Sequence, residues 1–209
     1  MRPQDSAIPP AKLSGASGHR FAVIVSRFNE TITGSLSDGA HAALSEAGAA
    51  AADVEDYSVP GAFELPQAAR LAAETGRFDA VICLGCVIRG ETPHFEYISS
   101  AVAHGIMEAA LETGIPIVFG VLTTDTASQA EERAGAGRNN KGWEAAAAGI
   151  EMAALFRQLG RAMPRALGFD RGESWNRRSC SPTSRPAISM STRPTRCTSS
   201  CAKCTANGA

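Results

Sequence analysis

Four short segments of this chain combine reactive side chains with residues that turn the backbone, and each follows a stretch that reads as a strand. They are Arg27-Phe28-Asn29, Pro60-Gly61-Ala62-Phe63-Glu64, Arg89-Gly90-Glu91-Thr92-Pro93-His94-Phe95-Glu96 and Thr123-Thr124-Asp125. The third is the richest. A glycine-containing loop entering a helix offers free backbone N–H groups and a favourable dipole to an anion, and Thr92 adds a hydroxyl. His94 follows directly. With a reference pKa of about 6.5, an imidazole both gives and accepts protons near neutrality, as a general acid–base must. Its plainer alternative is a helix-start histidine with a structural hydrogen bond. Phe28, at a strand end, suits stacking on a flat ring, although phenylalanine is more commonly core. Glu64 offers two acceptor oxygens to a polyol, or simply favours a helix N-terminus. Arg133 carries a guanidinium able to bind phosphate bidentately; otherwise it is a solvated helical arginine paired with Glu131 or Glu132. Arg89 ranks below it. His41 and His104 fall within helical patterns and His19 precedes the first strand, so none shares the setting of His94.

The elements that must position these segments alternate. Phe21–Val25, Val54–Val59, Ala80–Ile88 and Ile115–Leu122 read as strands; Thr33–Gly48, Phe63–Gly76, Pro93 to about Glu112, Ala127–Ala134 and Gly142–Leu159 read as helices. Ala80–Ile88 has no polar alternation, as expected of a strand covered on both faces. Along the third helix, Ile98, Val102, Ile106 and Ala109 or Ala110 mark the buried stripe. Strand–helix alternation predicts parallel β-α-β units: a three-layer αβα sandwich around a four-stranded, mainly parallel sheet. In such sheets ligands bind outside the carboxyl ends of the strands, where all four segments fall.

Composition narrows the function classes. The 209 residues suit one domain, and no apolar run is long enough to span a bilayer. Residues 1–17 lack the basic-then-apolar pattern of a secretory leader, so a cytoplasmic location is expected. The net charge of −1 hides an asymmetry: residues 170–209 carry seven basic side chains against two acidic, so the rest of the chain is acidic. That makes nucleic acid a poor partner, since phosphate neutralisation needs clustered Lys and Arg. The Ser-, Arg- and Cys-rich tail from residue 169 offers little to bury and reads as a disordered extension, of the kind an out-of-frame translation would add. Cys197, Cys201 and Cys204 have no accompanying histidine to suggest zinc. Cys83 and Cys86 have CxxC spacing, but in a strand residues three apart point to opposite faces and cannot share a metal. Gly135–Gly142 (GAGRNNKG) lacks both the dinucleotide and the P-loop spacing.

SRFNETIT (26–33), VPGAFELP (59–66), LGCVIRGETPHFEYI (84–98), IPIVFGVLTTD (115–125) and ERAGAGRNNKGWEAA (132–146) together resemble the lumazine synthases in order, spacing and residue type. The resemblance covers about Phe21–Leu159 within a domain expected at 20–168, after a flexible segment at 1–19. It implies a flavodoxin-like sandwich and condensation of 5-amino-6-(D-ribitylamino)uracil with 3,4-dihydroxy-2-butanone 4-phosphate to 6,7-dimethyl-8-ribityllumazine, the penultimate step of riboflavin synthesis. No cofactor and no metal are expected. It also implies site roles: His94 moves protons; Phe28 stacks on the pyrimidine; Ala62, Phe63, Glu64, Cys86, Val87, Ile88 and Lys141 hold ring and ribityl chain; Glu91, Thr92 and Arg133 hold phosphate; Glu144 orients His94. Phe119 would close the site of a neighbouring subunit, in a homo-oligomer that is a pentamer or a multiple of one. Pro9 and Pro10 disfavour the strand pairing of a shell-forming N-terminus. The alternative is a non-catalytic lumazine or flavin carrier, or a shell protein, on the same scaffold; a carrier needs the stacking aromatic but not His94, Arg133 and Lys141.

Overall fold

The computed structural model describes residues 15–162. β1 (Phe21–Ser26) leads to α1 (Glu30–Glu46). β2 (Val54–Val59) leads through a single 3-10 turn at Ala62–Glu64 to α2 (Leu65–Glu74). β3 (Ala80–Ile88) leads to α3 (His94–Thr113), and β4 (Ile117–Thr124) to α4 (Ala127–Arg133) and α5 (Lys141–Ala162). The expectations for Pro9 and Pro10 and for the tail from residue 169 lie outside the described residues. Among those described, no helix is long and apolar enough to cross a membrane.

The strands form one sheet in the order β2-β1-β3-β4, and all three pairings are parallel. β1 and β3 are central and apolar along nearly their whole length because helices cover both faces. Alternate side chains supply two separate cores. Phe21, Val23, Ile82 and Leu84 pack with Leu36 and Leu44 of α1 and Trp143 and Ile150 of α5. Ala22, Ile24, Val81 and Cys83 pack with Leu65 and Ala69 of α2 and Val102 and Ile106 of α3. Cys86 belongs to the first core and Cys83 to the second, so the two thiols do face opposite ways.

Several boundaries differ from the sequence reading, each for a local reason. α1 begins at Glu30, one turn before the expected Thr33, because Asn29 takes a left-handed turn (φ 61°, ψ 47°) that redirects the chain at once. The second helix opens as a 3-10 turn rather than as regular α-helix from Phe63. β4 starts at Ile117, not Ile115, since Pro116 accepts a bond from the Val81 N–H (2.9 Å) but has no N–H to donate. At its other end β4 runs on through Thr123 and Thr124, paired with Val87 and Ile88 of β3, so the segment leaving it begins at Asp125.

α1 and α5 approach closely enough to exclude side chains at the contact. A Cβ on Gly142 would fall inside the Leu36 backbone carbonyl, and one on Gly39 would overlap the Asn140 amide. Asn140, buried, locks this contact. Its Nδ2 donates to the carbonyls of Ser35 (2.9 Å) and Ala134 (2.8 Å), and its Oδ1 accepts from Gly142 N–H (2.7 Å) and Trp143 N–H (3.3 Å), capping α5. Gly142→Ala is therefore expected to lower unfolding free energy by about 1–3 kcal/mol or more through overpacking. Gly34→Ala, in α1 with nothing within reach of an added Cβ, is expected to gain about 0.5–1 kcal/mol. Chemical unfolding of the two variants checks both signs.

Candidate active site

Because every strand runs the same way, the carboxyl ends at Ser26, Val59, Ile88 and Thr124 share one rim of the sheet. Phe28, Ala62–Glu64, Cys86–Ile88 and Glu91–His94 are all brought to that rim by the strands they end or follow.

The first loop is fixed by Asn29. Arg27 N–H extends the ladder to the Val59 carbonyl (2.9 Å), and Asn29 Nδ2 donates to the Cys86 carbonyl (3.0 Å) across to β3. Asn29 is the only non-glycine with positive φ among the described residues, and asparagine is one of the few side chains that tolerates it. The turn leaves the Phe28 ring 69% exposed. On this chain the core reading of Phe28 is therefore excluded.

In the second loop, Ala62 is buried, Phe63 exposed and Glu64 half-buried. Glu64 Oε2 accepts from the Gly61 N–H (2.9 Å), so the carboxylate shapes its own turn. Among the described residues Oε1 has no hydrogen-bond partner. At the end of β3, Cys86 is buried and Val87 and Ile88 are half-buried. Burial pushes the Cys86 thiol up to about 11, with a hydrogen bond from Asn29 opposing it, and pushes the fully buried Cys83 thiol up to about 12. Neither is a thiolate near neutral pH, which removes nucleophilic and redox roles for this pair.

The third loop ends where α3 begins at His94. No side chain caps that helix start, and Gly90, Glu91, Thr92 and His94 are all exposed. Uncapped first-turn N–H groups on a 20-residue helix favour an anion there. Arg89 is tied to Asp125 (2.8 Å) and Glu96 (3.1 Å). Arg133, the last residue of α4, is half-buried; its Nη1 donates to the Gln129 carbonyl (2.8 Å), and Glu132 stands 4.0 Å away, so much of its fork remains open.

Lys141 and Glu144 occupy the first turn of α5, which Asn140 pins beside Ser35 of α1. They bond each other, Nζ to Oε1 at 2.8 Å and to Oε2 at 2.6 Å. Among the described residues no hydrogen bond joins Glu144 to His94, so within one chain the carboxylate serves the lysine. Phe119 stands apart. It lies on the edge strand β4, 42% exposed and opposite Cys83 in register. It is five residues, roughly 16 Å at about 3.3 Å per residue, from its own rim.

The model of the family described as 6,7-dimethyl-8-ribityllumazine synthase matches residues 18–157, from just before β1 to late in α5. A relative from Syntrophus aciditrophicus (strain SB), described by the same words, is 58% identical over 144 residues, covering 69% of this chain and 94% of the relative. The chain belongs to the 6,7-dimethyl-8-ribityllumazine synthase family. Its activity is lumazine synthesis in riboflavin biosynthesis. Every rim loop, and the turn into α5, lies inside the region matched by this lumazine synthase family.

The sequence reading missed Asn29 and Asn140. Asn140, two positions before a helical pattern, carries an N-terminus signal, whereas Asn29, four positions before one, does not. Their long-range bonds are not legible locally. Asn29→Ala is expected to lose about 1–2 kcal/mol of stability, from the left-handed backbone and the lost amide bond together. Asn29→Gly keeps the backbone geometry and should lose less. Identical denaturation curves for Asn29→Ala and the parent would show that neither effect holds the loop.

Proposed function

We propose that 5-amino-6-(D-ribitylamino)uracil lies with its pyrimidine on Phe28, with its ribityl chain toward Glu64 and the backbone of Ala62 and Phe63, and with its ring edge at Cys86–Ile88 and Lys141. 3,4-Dihydroxy-2-butanone 4-phosphate places its phosphate at the backbone and hydroxyl of Glu91-Thr92, with Arg133 as countercharge. The observation that carries this reading is the exposed Phe28 ring on the same rim as the uncapped, His94-bearing start of α3. A π-face, an acceptor for hydroxyls and an anion cradle match the parts of the two substrates.

His94 then moves protons. The 5-amino group adds to the ketone carbonyl and water leaves as the imine forms. Loss of the C3 proton and of phosphate then leaves an enol, which tautomerises to a new carbonyl at C3, and the ribityl-bearing nitrogen closes the ring on that carbonyl with loss of a second water. Each step needs a proton delivered or removed beside the anion loop, where His94 stands. The residues contribute binding, orientation and proton transfer.

The reading extends to assembly. A homo-oligomer, a pentamer by resemblance to relatives, lets Phe119 of one subunit close a neighbour's rim. Support comes from the distance of Phe119 from its own rim and from the exposed Tyr97, Met107 and Leu111 along α3. The catalytic domain is proposed to span 20–168.

Purified protein mixed with both substrates should form lumazine, followed by absorbance, well above the spontaneous rate. A rate equal to the spontaneous one would favour the carrier alternative. His94→Ala should slow turnover by several-fold to about a hundredfold, general acid–base contributions being roughly 10²–10⁴ and partly masked by an intrinsically easy reaction. Unchanged kinetics in that variant would remove His94 from its role.

A further inference from the structure

The loop Gly90–Pro93 bears the proposed phosphate contacts, yet nothing inside it defines its shape. Among the described residues, the side chains of Glu91, Thr92 and His94 make no intrachain hydrogen bond, and the one backbone bond, Glu96 N–H to the Pro93 carbonyl (3.0 Å), closes only the first helical turn. What does hold the loop is the side chain at its start. Arg89 Nε donates to Asp125 Oδ1 (2.8 Å), just past β4, and Nη1 donates to Glu96 Oε1 (3.1 Å) in α3. The guanidinium lies over the Phe95 ring, 4.5 Å from its centroid, and the Arg89 N–H extends the ladder to the Thr124 carbonyl (2.9 Å). One side chain thus joins both ends of the loop to the end of β4.

We propose that Arg89 is a positioning residue that clamps the Gly90–Pro93 loop into its anion-binding shape, acting on phosphate through the loop rather than by touching it. This rests on the assignment of phosphate to Glu91-Thr92 made above. The geometry needs arginine: a planar fork reaches two carboxylates in different directions while covering a ring, and an ammonium does not. Exposed ion pairs are individually weak, so the effect is on the ordering of four residues and not on global stability. Arg89 also pairs with the two acids flanking the loop, Glu96 and Asp125, and so offsets negative charge near the proposed phosphate position.

The test compares Arg89→Lys, Arg89→Gln and the parent by amide hydrogen exchange without substrates, and by kinetics with inorganic phosphate as inhibitor. Both variants should exchange the amides of residues 89 and 96, the hydrogen-bonded ones at the loop's two ends, about tenfold faster. The inhibition constant of inorganic phosphate and the KM for the ketone phosphate should rise about tenfold, with the pyrimidine KM and the thermal midpoint essentially unchanged. Parent-like behaviour of Arg89→Lys would mean that charge alone matters and would overturn the clamp, as would equal rises in both KM values or unchanged exchange. Glu96→Gln separates shape from charge. The clamp requires faster exchange and weaker phosphate inhibition there, whereas tighter phosphate inhibition with unchanged exchange contradicts it. Arg133→Ala guards the underlying assignment: phosphate inhibition unaffected in that variant removes the phosphate site itself, while loss there beside a parent-like Arg89→Gln removes only the clamp.

Discussion

Four strands hydrogen-bonded in one direction must leave their carboxyl ends on the same edge of the sheet, and the rest of this molecule depends on that. Parallel pairing of β1 with both β2 and β3, and of β3 with β4, brings residues 28, 64, 94 and 125 to one rim although nearly a hundred positions separate the first from the last. Parallel pairing requires crossover helices, and the helices require both faces of the central strands to be apolar. The uninterrupted Ala80–Ile88 run is thus the sequence counterpart of the rim. The loop after each strand carries the chemistry, while the strands decide where that loop stands.

The rim loops are held by bonds that reach across strands. Asn29 ties the Phe28 turn to β3, Glu64 ties its carboxylate to Gly61, and Arg89 gathers Asp125 and the first turn of α3. Each leaves the neighbouring candidate contact group open: the Phe28 ring, the second oxygen of Glu64 and the Thr92 hydroxyl. Farther along, Asn140 does the same for α5 by bonding two carbonyls and two amides, so that Lys141 and Glu144 project from a fixed first turn. The buried, protonated thiols of Cys83 and Cys86 contribute packing to opposite cores.

The fold was legible wherever a single segment carries its own signal. β2 ends at the Pro60-Gly61 turn and β3 where its apolar run ends, and α3 keeps its stripe of Ile98, Val102, Ile106 and Ala109. Legibility failed where a backbone detail decided the outcome. Asn29 starts α1 a turn early through a left-handed conformation that composition does not announce, and Pro116 delays β4 by withholding one donor. The candidate site was legible as a set of segments, because loop residues after strands stand out by type. Their internal partners were not: Arg89 meets Asp125 across 36 positions and Asn140 meets Ser35 across 105, distances at which no local pattern operates. Glu144 shows the same limit, since the single chain pairs it with Lys141.

The central claim is that one rim holds both substrates. Its most direct measurement is a crystal structure of the protein with the ribitylaminopyrimidine and inorganic phosphate bound together. The account predicts the pyrimidine ring parallel to Phe28, a ribityl hydroxyl on the free oxygen of Glu64, and phosphate oxygens about 2.7–3.2 Å from the backbone of Glu91 and Thr92, with His94 between the two ligands. Clear density for either molecule away from these loops, with the rim empty, would contradict it.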